Sequence, residues 1–190
     1  MINQPLGREW GAVVNGESRK LLVSPGTRLV DILRNQLQLT GTKVSCEVGR
    51  CGACMILMNG EPINACLVMA YQCEGSEITT IEGLHGEKKG ELHPIQQAFV
   101  EEGGFQCGYC TPGMIISTKA LLDECANPSQ EQIESGLCGN LCRCTGYGGI
   151  IRAVNRASER GKAKAMNEIP VKEQVSNAAV NIFKTDMAET

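Results

Sequence analysis

Four cysteines limit what this chain can fold into more than any other feature. Cys46, Cys51 and Cys54 occupy one short loop at the spacing C-x4-C-x2-C, and Cys66 follows after a stretch that reads as a hairpin. This spacing is the plant-type arrangement for a [2Fe-2S] cluster. Iron–sulfide cores are soft and take soft thiolate ligands. Gly41, Gly49 and Gly52 suit a loop that wraps tightly around such a core, where backbone amides point at sulfur and help set its potential. The rival reading of the loop is a zinc knuckle, but zinc sites usually pair two short cysteine units across a linker.

The chain has 190 residues, 11 of them cysteine, a formal net charge of -3 and only 4% aromatic residues. So many cysteines, in odd number, argue against a pure disulfide framework and for metal binding in a reducing compartment. The charge gives no reason to expect nucleic acid or an anionic membrane as partner, and there are too few aromatic residues for a base-stacking surface. The first residues, Met1 to Trp10, contain no apolar run of leader type, and no segment reaches the ~18 apolar residues of a membrane span. The expected location is the cytoplasm.

Around the loop the pattern predicts a small sheet. Residues 8–14 and about Lys20 to Val23 read as strands joined at Asn15-Gly16, a type I′ turn pair. Thr27 is placed to cap a helix whose Leu29, Val30, Leu33 and Leu37 share a face. Met55 to Met58 and Glu61 to Asn64 form a second hairpin at Asn59-Gly60, residues 67–72 a helical turn, and Ser76 to Ile81 a last strand. Trp10 is expected to pack in this sheet. The fold class that follows is α+β, a grasp-like sheet around a helix.

Strand patterns stop after Gly83. The glycine-rich, charged stretch 84–92 reads as a linker, and four helices follow. The first begins at His93, with Pro94 in its first turn, and ends at Gly103-Gly104. His85 and His93 lack a paired spacing and read as linker or cap residues. A second thiol group, Cys107 and Cys110, leads into a helix for which Thr111 is the expected cap and Pro112 sits in the first turn. Ser129 and Gln132 form a capping box for a short helix. Leu137 to Tyr147 then supplies Cys138, Cys142 and Cys144 before Gly148-Gly149 opens the last helix. Helix N-termini favour thiolate and an anionic cluster, so two cysteine pairs at helix ends make a second Cys₄ site. On chemistry alone zinc is a stronger rival here than in the first loop, and the choice among Cys138, Cys142 and Cys144 stays open. Residues 163–190 read as a solvated or partner-bound extension.

Taken in order, Gly41-Thr42-Lys43, the Cys46–Cys54 loop, Cys66, Gln106-Cys107-Gly108-Tyr109-Cys110-Thr111-Pro112-Gly113 and Gly139-Asn140-Leu141-Cys142-Arg143-Cys144-Thr145-Gly146-Tyr147 closely resemble the iron–sulfur subunit of the xanthine dehydrogenase/molybdenum hydroxylase family. The resemblance covers about residues 8–160. It implies a ferredoxin-like β-grasp domain (1–83) whose Cys46, Cys51, Cys54 and Cys66 bind an outer [2Fe-2S] cluster. It also implies an all-α four-helix domain (93–162) whose Cys107, Cys110, Cys142 and Cys144 bind an inner one. Cys73, Cys125 and Cys138 then fall outside the motif, while Gln106 and Cys144 adjoin the pterin of a molybdenum cofactor. Ser45 and Met55 depart from the family pattern, which usually has glycine and threonine there.

The resemblance further implies an electron-transfer role, with molybdopterin on a large partner subunit and FAD on a medium one, assembled as a dimer of heterotrimers. The chain itself has no nucleotide-binding G-x-G-x-x-G opening a helix and no acid–base or nucleophile arrangement for catalysis. The alternatives are a stand-alone two-cluster ferredoxin and a zinc-stabilised interaction module. The substrate is not legible, whether purine, aldehyde, N-heterocycle, carbon monoxide or acyl-CoA.

Overall fold

The structure is a computed structural model that describes residues 7–168 except Glu87 and Lys89. Alternating residues of β1 (Arg8–Val14) bury Trp10, Ala12 and Val14 on one face. Asn15 and Gly16 both take positive φ (53° and 80°), which turns the chain into β2 (Glu17–Val23), three residues earlier than its apolar end suggests. β2 is an outer strand with Glu17, Arg19 and Lys20 in its first half, charges that discourage pairing with another chain there. The second hairpin joins β3 (Met55–Met58) to β4 (Glu61–Asn64) through Asn59 and Gly60, again both at positive φ. β5 (Glu77–Thr79) is shorter than expected and runs parallel to β1 and antiparallel to β3, giving the order β2-β1-β5-β3-β4.

Helix α1 (Leu29–Asp31) crosses this sheet and continues as a π-turn over Ile32–Gln36, where the Leu37 amide reaches the Ile32 carbonyl. Leu29, Val30, Ile32 and Leu33 are completely buried against the sheet. Thr27 does not cap the helix. Arg28 holds the N-cap position without a side-chain cap bond, and the Thr27 amide is taken by the Ser24 carbonyl. Trp10 packs in this core as expected.

The second core is helical. α2 (Pro94–Glu101) starts at His93, whose Nδ1 accepts from the Ile95 amide, so this histidine is a cap. α3 (Thr111–Glu124) starts at Cys110; Thr111 makes no cap bond, and its hydroxyl is buried without a partner. The capping box of Ser129 and Gln132 opens α4 (Gln130–Leu137). α5 (Gly148–Glu168) begins at the glycine pair and runs past residue 162, taking in the first residues of the expected tail. The rest of that tail lies outside the described residues. Phe99, Met114, Ile133, Ile150 and Val154 form the centre of this core. No helix among the described residues is long and apolar enough to cross a membrane.

The stretch after Gly83 is less detached than its composition suggests, because Ile81 and Leu84 pack on the helical core. A third apolar cluster joins the two units: Met55 and Leu57 of β3 lie against fully buried Ile116 of α3. Truncating Ile116 to alanine leaves a cavity at this junction, with an expected loss of about 2–5 kcal/mol. Urea unfolding followed by circular dichroism checks the value.

Candidate metal centres

Eight thiols gather at two places, four at each. In the first, Cys46 contacts Cys51 and Cys54 contacts Cys66. In the second, Cys110 contacts Cys142, and the Cys107 and Cys144 sulfurs stand 3.6 Å apart. Among the described residues no group of three or more His, Cys, Asp or Glu side chains is placed to hold a single metal ion. Four thiolates at one place suit a two-metal core with two thiolates per metal. A tetrahedral metal with bonds to sulfur of ~2.3 Å separates two thiolates by about 3.7 Å.

The first loop is built by backbone conformation. Glu47, Gly49 and Gly52 take positive φ, so the turns fall after Cys46 and around Cys51. Ser45 has no positive φ, and a glycine is not needed there. The turns direct the amides of Val48 and Arg50 at Cys46 Sγ, the latter at 3.3 Å, and hold the Cys46 thiol down to about 6. Cys54 is buried beside Cys66, and burial pushes it up to about 12. Asn64 closes the loop from below: its Oδ1 faces Cys54 Sγ at 3.6 Å and its Nδ2 donates to the Gly49 carbonyl. Arg28, at the start of α1, reaches Asp31 (2.9 Å) and Glu47, tying the loop to the helix.

The second site is more open. Cys110 is the N-cap of α3, but Cys142 and Cys144 lie in the turns ahead of α5 and not on its first turn, contrary to the expectation that both pairs sit at helix ends. Burial pushes Cys110 up to about 12. At Cys142 burial acts in the same sense, yet the Thr145 hydroxyl at 3.2 Å and the amides of Thr145 and Cys144 outweigh it and bring the thiol to about 7. The side chain of Cys107 raises Cys144. All four thiols line a cavity of about 550 Å³ that also touches Cys51, Tyr109 and Arg143. Gln106, Cys107 and Cys144 are exposed. Of the remaining cysteines, Cys73 is buried in the first core, Cys125 is half-buried at the end of α3, and Cys138 is exposed as the C-cap of α4 and does not line the cavity.

The two sites meet. The Leu141 amide donates to the Cys51 carbonyl at 2.9 Å, the Asn140 side chain donates to the Gly52 carbonyl, and the Tyr109 hydroxyl donates to the Val44 carbonyl. Sequence reasoning passed over Arg28, Glu47 and the role of Asn140. The only hint was an Asn between Gly139 and Leu141 in an otherwise apolar approach to Cys142.

Residues 12–80 match the family described as 2Fe-2S iron-sulfur cluster binding domain, and residues 80–155 match the [2Fe-2S] binding domain family. The two matches provide for two [2Fe-2S] clusters. The chain is 62% identical over 143 residues to a probable xanthine dehydrogenase subunit of Bacillus subtilis, covering 75% of this chain and 81% of that one. It is 48% identical over 147 residues to the nicotinate dehydrogenase small FeS subunit of Eubacterium barkeri, covering 77% and 92%. Among solved structures, quinoline 2-oxidoreductase from Pseudomonas putida 86 superposes with a TM-score of 0.78 at 41% identity, covering 83% of this chain and 98% of the matched chain. The aldehyde oxidoreductase of Desulfovibrio desulfuricans superposes equally well at 43% identity, but there this chain spans only 17% of the other's length. With both cysteine groups inside the matched regions, the chain belongs to the iron–sulfur subunits of the xanthine dehydrogenase/molybdenum hydroxylase family.

Proposed function

We propose that Cys46, Cys51, Cys54 and Cys66 hold an outer [2Fe-2S] cluster, and that Cys107, Cys110, Cys142 and Cys144 hold an inner one. The observation that carries this reading is that Cys107, Cys110, Cys142 and Cys144 line one cavity, with the Cys107 and Cys144 sulfurs 3.6 Å apart, and that Cys51 of the other thiol group touches the same cavity. The domains are taken as 1–83 and 93–162, joined by 84–92. When bound, each cluster would supply a one-electron acceptor and donor, and the residues that hold the pair would place it to relay singly the two electrons of an oxidation at molybdopterin on a large partner to FAD or another acceptor on a medium partner.

The chain's own contribution is to hold the relay together. From Cys142 the covalent path runs through its backbone to Leu141, crosses one 2.9 Å hydrogen bond to the Cys51 carbonyl, and reaches the Cys51 side chain. Amides around Cys46 and the Thr145 hydroxyl beside Cys142 stabilise sulfur in its anionic form. Gln106 and Cys144 lie on the exposed rim, where the pterin of the large partner would adjoin them. The assembly is taken as a dimer of heterotrimers in the cytoplasm. The names of the relatives span xanthine, nicotinate and aldehyde chemistry, and substrate choice is assigned to the large partner.

Anaerobically isolated protein is expected to carry about four irons and four acid-labile sulfides per chain, with a red-brown colour that dithionite bleaches. A colourless zinc protein would refute the reading. Cys51→Ser and Cys110→Ser are each expected to remove or alter one of two paramagnetic resonance signals of the reduced protein and spare the other; loss of neither would refute the ligand assignment. Affinity capture from the native host is expected to bring down two further polypeptides, one large and one of medium size. Isolation of the chain alone, fully active as a diffusible carrier, would favour the stand-alone ferredoxin instead.

A further inference from the structure

We infer that Asn140 is a positioning residue that fixes the distance between the two cluster sites, and with it the rate of electron exchange between them. The inference rests on the reading that both sites hold clusters. Asn140 is 2% exposed and stands at the junction of the two units. Its Nδ2 donates to the Gly52 carbonyl at 3.4 Å, and its Oδ1 accepts from the Ser117 hydroxyl at 2.8 Å. Its own carbonyl accepts from the Tyr147 hydroxyl at 3.1 Å, and that hydroxyl oxygen accepts from the Cys142 amide at 2.9 Å. One buried residue therefore links Gly52, which follows Cys51, to Cys142 by hydrogen bonds at every step.

The carboxamide is specifically required. Gly52 presents a carbonyl that needs a donor, and Ser117 presents a hydroxyl that donates to an acceptor. Asparagine offers both from one planar group, aspartate lacks the donor, and an apolar residue lacks both. There is no slack around it. A Cβ on Gly52 would stand 2.5 Å from Asn140 Nδ2 and 2.6 Å from the Gly139 carbonyl, and a Cβ on Gly113 would stand 2.1 Å from the Gly52 carbonyl. The Cys51 loop is thus pressed between α3 and the 139–142 turn, with Asn140 setting the gap. Electron exchange falls steeply with distance, so a small opening of this junction slows it even when both clusters remain intact.

The test uses the whole chain carrying its clusters, compared with Asn140→Asp and Ser117→Ala. Asn140→Asp places a carboxylate oxygen against the Gly52 carbonyl. It is expected to keep two paramagnetic resonance signals but to weaken the magnetic coupling between them when both clusters are reduced. The Leu141 amide is expected to exchange hydrogen about tenfold faster, the scale of one lost buried hydrogen bond. Ser117→Ala keeps the bond to Gly52 and is expected to change both readouts in the same direction by less; it decides the question if Asn140→Asp does not fold. Parental coupling and parental Leu141 exchange in either folded variant overturn the role of Asn140. Absence of two signals in the parent protein refutes the two-cluster reading instead, and Leu141 exchange then still reports on the junction.

Discussion

The carbonyl of Gly52 meets the helical unit with no room to spare, and the arrangement of both thiol sites depends on that contact. Gly52 sits between Cys51 and Cys54, so whatever grips it also grips one side of the first site. α3 approaches it through Gly113, and Asn140 and Leu141 bond to the carbonyls of Gly52 and Cys51. Below the contact, Met55, Leu57 and Ile116 exclude water and supply the apolar adhesion that hydrogen bonds alone would not provide. A β-grasp sheet and a helical bundle, each with its own core, are thereby joined through the loops that carry the chemistry.

Holding anionic sulfur in such loops is an electrostatic problem, and the chain meets it locally. At Cys46 the favourable groups are backbone amides, which require the left-handed turn at Glu47. Left-handed φ is disfavoured for a residue with a Cβ. Here the Glu47 carboxylate is held by Arg28, itself anchored by Asp31, so an ion-pair chain from α1 opposes relaxation of the turn. At Cys142 a hydroxyl and two amides do the same. Buried Cys54 and half-buried Cys110 are the thiols that desolvation pushes up, so their ionisation depends on a positive core to pair with.

Local patterns made much of this legible. Asn-Gly turns need positive φ at both positions, which few other pairs supply, so both hairpins could be placed from four residues. Ser129 and Gln132 satisfy each other's amides whatever surrounds them, and that cap appears as read. The failures are cases where a competing local arrangement or a distant partner wins. Thr111 looks like a cap, but the thiol residue before it occupies that position. The 3.6-residue spacing of Leu29 to Leu37 cannot report that the Leu37 amide selects Ile32 and makes a π-turn. The choice among Cys138, Cys142 and Cys144 depended on resemblance, since spacing carries no information about which sulfur faces Cys107. Asn140 was invisible for the same reason: its acceptor, Gly52, lies 88 residues away.

The two sites differ in how well the chain alone protects them, and the difference bears on assembly. Cys54 and Cys66 are nearly closed off from solvent, whereas Cys107 and Cys144 form an exposed pair. Around that pair Phe105, Tyr109 and Leu141 are 40%, 47% and 57% exposed. Large apolar side chains beside exposed thiols are unfavourable in a free carrier, because water reaches the sulfur and the apolar surface gains nothing. A large partner seated on this rim would bury all three, exclude water from the Cys107–Cys144 side, and leave the path through Leu141 and Cys51 as the dry way out. In the proposed complex the exposed rim is therefore the entry for electrons, and the junction held by Asn140 connects that entry to the first loop.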